Sequence, residues 1–250
     1  MSESLESVAT RVVRWQASHG RSHLPWQQTR DPYRVWLSEI MLQQTQVSTV
    51  LGYYARFLDR FPDVGALASA SQDEVLGLWS GLGYYSRARN LHRCAQLVVA
   101  EHGGVFPSSA ELLAKLPGIG RSTAGAIAAF CFSQRVPILD ANVRRVLTRV
   151  VGFDGDVAVA KNERALWEHA EALLPVSDLA AAMPRYTQGM MDLGAGVCTP
   201  KTPQCLICPL MGVCVAQKEG APERYPVKTR KLVRRSESWW LLLLIRLDGA

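Results

Sequence analysis

The sequence has no apolar run that is long enough to cross a membrane as a helix. The longest clean run, residues 239–245, is far shorter than the roughly 20 residues that a bilayer-spanning helix needs. The first eleven residues are polar and acidic, and they lack the charged-then-apolar order of a signal peptide. We therefore expect a soluble cytoplasmic protein with no membrane contact, whose cysteines do not pair as disulfides.

Internal repeats, low-complexity segments and strand-like alternation are almost absent before Lys231, while helical periodicity is common. The pattern predicts a mainly α protein. Residues 220–235 are rich in proline and charge and indicate a linker, and residues 238–247 are typical of a β-strand. A lone strand has no partner, so this strand is expected either to begin a truncated further domain or to dock on the helical body.

The composition fits a folded protein with a polyanionic partner. The chain has 250 residues, of which 48% are hydrophobic, and a formal net charge of +6. This length allows one large domain or two smaller ones. The positive charge is compatible with nucleic acid but does not establish it.

The segment from Leu116 to Thr123 predicts two helices joined by a tight hairpin. Pro117 and Gly118 end the first helix, Gly120 leaves the backbone bare, and Ser122 or Thr123 begins the second. The free N–H groups at the start of that second helix suit a phosphate. An ordinary packing motif of two helices is the alternative for this segment taken alone.

A cluster of four cysteines, Cys198, Cys205, Cys208 and Cys214, falls in a short loop-rich segment. Four thiolates this close can surround one metal centre, and their number and spacing favour a [4Fe–4S] cluster. Structural zinc, which usually uses two short cysteine pairs, and unliganded thiols remain the alternatives.

Two carboxyl groups are expected to have opposite environments. Glu39 is surrounded in sequence by apolar residues on nearly every helical face, which predicts desolvation, a raised pKa and a general acid. Asp140 stands where a helix N-cap belongs, and capping is expected to lower its pKa. Such a pair suits the cleavage of a glycosidic bond. The alternatives are a solvent-facing Glu and a simple cap.

Residues 24–226 resemble the MutY-type adenine DNA glycosylases of the helix–hairpin–helix, endonuclease III-like superfamily. The resemblance lies in the hairpin, the cysteine spacing, residues 36–47 around Glu39 and residues 139–147 around Asp140. It implies that Glu39 protonates adenine at N7, and that Asp140, with Asn142 beside it, stabilises the sugar cation.

The resemblance also implies a set of residues that contact DNA or the extruded base. Gln44 and Tyr84 match residues that wedge into the duplex, Trp26 matches a residue of the adenine pocket, and Asp192 stands where the family often has a Glu that contacts adenine. Gly81 and Gly83 around Leu82 argue for a tight exposed turn. The full set of predicted contacts is Trp26, Gln43, Gln44, Leu82, Tyr84, Gly118, Gly120, Ser122 and Asp192.

By the same resemblance, a six-helix barrel with the hairpin spans residues 31–135. An iron–sulfur cluster domain combines residues 1–30 and 136–220. Residues 221–250 form the linker and the start of a truncated β-rich domain. The implied protein is a monomer in the cytoplasm, associated with the nucleoid if it is bacterial.

The implied function is base excision repair by a monofunctional enzyme, which removes adenine opposite 8-oxoguanine or guanine in duplex DNA. An endonuclease III-type glycosylase and AP lyase acting on oxidised pyrimidines is the first rival. Enzymes of that type place a Schiff-base Lys where this chain has Ser122. A non-enzymatic DNA-binding module is the second rival, and it would need neither Glu39 nor Asp140.

Overall fold

The structure, a computed structural model, describes residues 2–229 and 237–241, with side chains from Val8 onward. This part of the chain is mainly helical and contains no strand, so the predicted mainly α class is confirmed. The α-helices are α1 Ser2–His19, α2 Pro32–Leu42, α3 Val47–Arg60, α4 Val64–Ser69, α5 Gln72–Trp79, α6 Ser86–His102, α7 Ala110–Leu113, α8 Arg121–Phe132, α9 Ala141–Val151, α10 Ala160–Ala172, α11 Leu179–Asp192 and α12 Val215–Lys218.

Shorter helical segments connect these elements near the cysteines and the first loop. They are the 3₁₀ turns Pro25–Gln27, Cys205–Ile207 and Pro222–Arg224, and a π-helical segment, Leu193–Val197, that continues α11. Among the described residues, no helix is both long enough and apolar enough to cross a membrane.

The predicted terminal strand is not formed where the structure describes it. Residues 238–241 have no regular structure, and residues 242–247 lie outside the described residues. A strand needs a partner for its backbone groups, and the described part of the chain offers none. For residues 242–247 the strand stays a prediction.

Helix α2, which carries Glu39, has strong local start signals. Asp31 is its N-cap and accepts a hydrogen bond from the backbone N of Arg34 at 3.0 Å, and Pro32 occupies the first helical position. Buried residues Trp36, Leu37 and Met41 are fully covered. The helix is therefore embedded in the protein rather than lying on its surface.

Two buried hydrophobic clusters organise the chain. The first gathers side chains between Leu24 and Ala128, and the second joins α1 to α9, α10 and α11. Helix α8 contributes to both, because Ala124 and Ile127 lie in the first cluster while Ala126 and Ala129 lie in the second. The domain limits at residues 30, 135 and 220 stay a prediction.

Small residues let α8 lie against the loop that leads to Asp140. A side chain on Gly125 would place its Cβ 2.6 Å from the carbonyl oxygen of Pro137 and 3.2 Å from Cγ2 of Ile138. The backbone cannot yield as a flexible side chain would. Gly125 is therefore needed for the close approach of the two segments.

We expect Gly125→Ala to lower the free energy of unfolding by about 1–3 kcal/mol, although Ala is the better helix former, because the added methyl group meets backbone. Gly77→Ala in α5 is the matched control, since nothing lies within 4 Å of its Cβ position. The control should be neutral or stabilising by up to about 1 kcal/mol. Urea unfolding of both variants measures the difference, and equal stabilities would contradict the packing argument.

Candidate active site

A cleft of about 380 Å³ lies between the two hydrophobic clusters. Glu39 from α2 and Trp26 from the first 3₁₀ turn both line it. The Trp26 side chain is 7% exposed and meets the Tyr54 ring edge to face, with 5.2 Å between ring centroids. The remaining lining residues are Gln16, Ala17, Arg21, Ser22, Gln27, Thr29, Arg30, Val35, Ser38, Phe130, Ala181, Pro184, Arg185 and Gln188.

The Glu39 side chain is half-buried, and its exposed part faces the cleft. No described side chain donates a hydrogen bond to it. Desolvation by burial, together with the smaller effect of the nearby negative charge of Asp140, raises its pKa to about 8. Glu39 is thus placed to hold a proton near neutral pH, as the sequence predicted.

Asp140 is the N-cap of α9, as predicted. Its Oδ1 accepts a hydrogen bond from the backbone N of Val143 at 2.7 Å. The predicted lowering of its pKa is wrong, because desolvation by burial raises that pKa more than the capping bonds lower it. The backbone N–H groups of Val143 and Asn142 and the charges of Arg145 and Arg144 still favour the anion.

Both carboxyl groups have a raised pKa, and they differ in whether neighbouring groups stabilise the ionised form. Backbone N–H groups and cations stabilise the charge of Asp140, while none of these acts on Glu39. Glu39 keeps its proton more readily than an ordinary Glu, and Asp140 has partners for its charge. The division into an acid and an anion remains physically sound.

Asn142 is the second residue of α9, next to Asp140, and it bonds to the Arg145 side chain that reaches the cysteine segment. Its Oδ1 accepts a hydrogen bond from Nη2 of Arg145 at 2.8 Å, and Nε of Arg145 donates to the carbonyl of Cys198 at 2.8 Å. Nη2 of Arg145 also donates to the carbonyl of Gly194. Asn142 thus contacts the helix start rather than the cleft, whose lining does not include it.

Asp192 does not line the cleft, so its predicted contact with adenine is not supported by its position. The side chain is buried and accepts hydrogen bonds from the backbone N of Arg21 at 2.9 Å and from Nε of Arg21 at 2.7 Å. Nε2 of Gln188 donates to it at 2.8 Å. Arg21 and Gln188 both line the cleft, so Asp192 positions two cleft residues instead of reaching a base itself.

The two predicted wedge segments lie at left-handed turns. Gln43 follows the end of α2, and Gln44 is exposed with φ 59°; Tyr84 is 60% exposed with φ 49°. Such backbone is costly for residues other than Gly and is often found at functional sites. The predicted tight turn at Gly81 and Gly83 is present, since both have positive φ.

The predicted exposure of Leu82 is wrong. Its side chain is 6% exposed and belongs to the first hydrophobic cluster. The turn directs Leu82 inward while Tyr84 projects outward. Leu82 is therefore not available as a surface contact in this conformation.

The hairpin has the predicted glycine geometry, with a small shift at the second helix. Gly118 has φ 77°, and a Cβ there would meet Cβ of Asn90 at 2.9 Å. Helix α8 begins at Arg121 with Gly120 as its N-cap, one residue before the predicted start. Oγ of Ser122 accepts a hydrogen bond from the backbone N of Leu139 at 3.0 Å, so it holds the segment that precedes Asp140.

The four cysteines of the loop line one cavity, together with Arg149. Arg149 is 1% exposed, and its Nη1 donates to Sγ of Cys198 at 3.2 Å. N–H groups that point at ligand sulfurs are typical of iron–sulfur sites. No group of three His, Cys, Asp or Glu side chains in the described part of the chain is arranged around one metal ion.

Residues 37–172 match the HhH-GPD family, described as the HhH-GPD superfamily base excision DNA repair protein. This match covers more than half of the chain. The chain belongs to the HhH-GPD superfamily. Residues 198–214 match a second family, the iron–sulfur binding domain of endonuclease III, which is consistent with the predicted [4Fe–4S] cluster.

Individual relatives of this HhH-GPD protein are adenine DNA glycosylases. The one from Buchnera aphidicola subsp. Acyrthosiphon pisum is 42% identical over 233 residues, covering 93% of this chain and 65% of its own length. The one from Homo sapiens is 44% identical over 210 residues, covering 80% of this chain and 38% of its own length. The chain thus spans less than two thirds of these relatives.

A solved structure of a thermostable thymine-DNA glycosylase is also similar. It has a TM-score of 0.77 and 27% sequence identity, and the match covers 87% of this chain and 98% of that one. The resemblance to MutY-type adenine glycosylases and the helix–hairpin–helix fold are therefore confirmed. The roles assigned to single residues stay predictions.

Sequence reasoning missed several residues of this HhH-GPD site. Arg21 and Gln188 line the cleft, yet each is far from Glu39 in sequence and belongs to no motif. Arg87, two residues after the Gly-Tyr-Tyr segment, is 9% exposed and donates to backbone carbonyls, and no motif in the sequence indicates this role.

We expect the purified protein to be yellow-brown, with iron near four per chain, because four thiolates lining one cavity suit a cubane. Metal analysis and the visible absorption of anaerobically prepared protein measure this. Cys94→Ser is the control, since Cys94 is buried in the first cluster away from the loop and its loss should leave the iron content unchanged. Stoichiometric zinc without iron would overturn the assignment.

Proposed function

We propose that this chain is a base excision repair glycosylase that hydrolyses the N-glycosidic bond of adenine mispaired with 8-oxoguanine or guanine in duplex DNA. The observation that carries the proposal is Glu39, whose desolvated carboxyl lines a cleft beside the capped carboxylate of Asp140. The adenine DNA glycosylases that share 42–44% identity support adenine as the base.

The cleft has the size and lining of a site for a base taken out of the stack. Its volume of about 380 Å³ is within the range of small-molecule sites. Trp26 offers a rigid aromatic surface for stacking, and Gln188 and Arg21 offer polar groups that Asp192 holds in place. Duplex DNA is the partner that such a cleft requires.

In the proposed reaction Glu39 donates its proton to N7 of the extruded adenine. The bond between C1′ and N9 then breaks, and its electron pair leaves with the base. Asp140 stabilises the positive charge that remains on the sugar. Water adds to C1′, and its proton passes to a carboxylate or to solvent, so hydrolysis is complete.

The cysteine segment serves as a scaffold in this proposal. A [4Fe–4S] cluster bound by Cys198, Cys205, Cys208 and Cys214 would cross-link the loop that follows α11. Arg145 then connects the Cys198 carbonyl to Asn142, beside Asp140. The chain of bonds lets the cysteine loop support the end of α9 that carries the sugar-stabilising carboxylate.

Duplexes with adenine opposite 8-oxoguanine, guanine or thymine test the function directly. A duplex with a mismatched thymine tests whether thymine is the base removed. Strand analysis after alkali should show cleavage at adenine opposite 8-oxoguanine and guanine, and little opposite thymine. Release of thymine without release of adenine would refute the proposed substrate.

We expect Glu39→Gln to reduce the single-turnover excision rate at least about 100-fold while leaving DNA affinity nearly unchanged, because the amide keeps the shape but carries no acidic proton. Glu101→Gln, which changes an exposed carboxyl at the end of α6, is the matched control. Retention of a tenth of the wild-type rate would exclude Glu39 as the acid.

The wild-type excision rate should fall as pH rises through about 8, because the acid must be protonated and burial raises the pKa of Glu39 to about 8. At the acidic end, the rate should fall at a higher pH than an ordinary Asp would produce, because Asp140 must be ionised and its pKa is raised. A single-turnover pH profile measures both limbs, and a flat profile between pH 7 and 10 would contradict the first.

The abasic strand should remain mostly uncut until alkali is added. Ser122 occupies the hairpin position of the lyase amine, and its hydroxyl is bonded to the Leu139 backbone. Borohydride trapping measures the covalent adduct that a Schiff base would leave. Efficient trapping would show that the chain is a lyase and would favour the endonuclease III-type alternative.

A further inference from the structure

Arg87 is a buried cation in contact with three separate segments of the chain. Its Nη1 donates to the carbonyls of Ile40 at 3.0 Å and Met41 at 2.9 Å, at the end of α2. Its Nη2 donates to Oγ1 of Thr45 at 3.1 Å and to the carbonyls of Leu82 and Gly83, each at 3.2 Å. These acceptors include no carboxylate.

The segments that Arg87 joins carry Gln44 and Tyr84, which are both exposed and both have positive φ. Gln44 lies between the α2 end and Thr45, and Tyr84 follows Gly83 directly. The guanidinium carbon is 5.5 Å from the centre of the Tyr84 ring and 5.3 Å from that of Trp79. A cation over an aromatic face stabilises the ring in place.

A cation at this point also matches the local charge. The last carbonyls of a helix lack partners and form the negative end of its dipole, and Arg87 binds two of them in α2. The planar fork of a guanidinium can hold several carbonyls at fixed angles, which the single ammonium of Lys cannot do. The contacts therefore stabilise the segments and also hold them at a fixed position relative to one another.

We propose that Arg87 is a positioning residue that locks the Gln44 and Tyr84 turns into one rigid unit and thereby determines how strongly the enzyme prefers a mispair. This inference rests on the proposed function only where it concerns DNA. Arg87 is covered by protein and acts through the two turns. Both turns bind the same cation, as does the end of the helix that carries Glu39. A displacement of one turn therefore also weakens the contacts that hold the other turn and the helix end.

Hydrogen exchange of the free protein tests the lock without any DNA. In Arg87→Lys, exchange should rise together in peptides covering residues 40–45 and 80–86 and should stay unchanged in α9 and α11. Arg93→Lys is the matched control, since Arg93 is exposed on the same helix α6. No change in either peptide, or a rise throughout the protein, would overturn the proposal.

A milder variant keeps the test decisive if Arg87→Lys does not fold. Thr45→Val preserves the shape of the side chain but removes one acceptor of Nη2. Exchange should then rise in residues 43–45 and, to a smaller degree, in residues 80–86, because the same Nη2 binds both turns. A rise confined to residues 43–45 would reflect only the lost bond from the Thr45 hydroxyl to the Gln43 carbonyl and would contradict the coupling of the two turns. Unchanged exchange in residues 43–45 would contradict the assigned role of the Arg87–Thr45 bond.

DNA binding measures the consequence for the enzyme. Arg87→Lys should reduce the ratio of affinities for adenine opposite 8-oxoguanine and opposite thymine by about tenfold, since charge-assisted bonds are lost. The effect should shrink to about threefold or less in a Gln44→Ala, Tyr84→Ala background, because residues that act through one another are not additive. An undiminished effect in that background would refute the route through the two turns.

The pH profile of excision separates this role from a general structural one. Arg87→Lys should keep the alkaline limb that Glu39 produces, because the cleft is untouched, and a shifted limb would count against the proposal. Absence of adenine release from the wild-type protein would refute the proposed function alone, because the exchange experiment does not depend on it.

Discussion

A carboxyl that holds its proton near neutral pH must be desolvated by its surroundings, and the site depends on this condition. Helix α2 is buried on most sides and presents Glu39 to the cleft between the two hydrophobic clusters. Arg21 lines the same cleft, and a free guanidinium there would stabilise the Glu39 anion. Asp192 forms a salt bridge with the Arg21 guanidinium at 2.7 Å and so compensates part of its charge.

Helix α9 carries the second carboxyl, Asp140, whose ionised form has partners for its charge. Its N-terminus stabilises the Asp140 anion with backbone N–H groups, although burial outweighs them in the pKa. Further along the same helix, Arg145 and Arg149 bind carbonyls and a sulfur of the cysteine segment. One helix thus connects Asp140 to the cysteine cavity.

Helix α2 connects chemistry to DNA recognition in a similar way. Glu39 lies one turn before the helix end, and that end is bonded to Arg87 together with the two strained turns. A buried arginine costs desolvation energy, which its five acceptors offset only in part, since burial lowers the pKa of Arg87 and its Nε has no hydrogen-bond partner among the described residues. The arrangement indicates that the acid and the predicted wedge residues are positioned by one continuous piece of structure.

Local sequence signals were sufficient for the elements of the site. The Asp-x-Asn cap, the Gly-x-Gly hairpin, the cysteine spacing and the apolar helix around Glu39 each act over a few residues, and the structure contains each of them. They identified the carboxyls, the turns and the metal-ligating loop, because caps and turns depend on neighbouring backbone groups.

Only the tertiary structure decided which of these residues face the cleft and which groups surround their charged side chains. Asp140 was expected to have a lowered pKa, but burial by distant segments raises it; Leu82 was expected at the surface, but the core covers it. Asp192 and Arg87 contact partners 171 and 47 residues away. Desolvation and long-range pairing depend on which segments pack together, and no local pattern in one sequence contains that information.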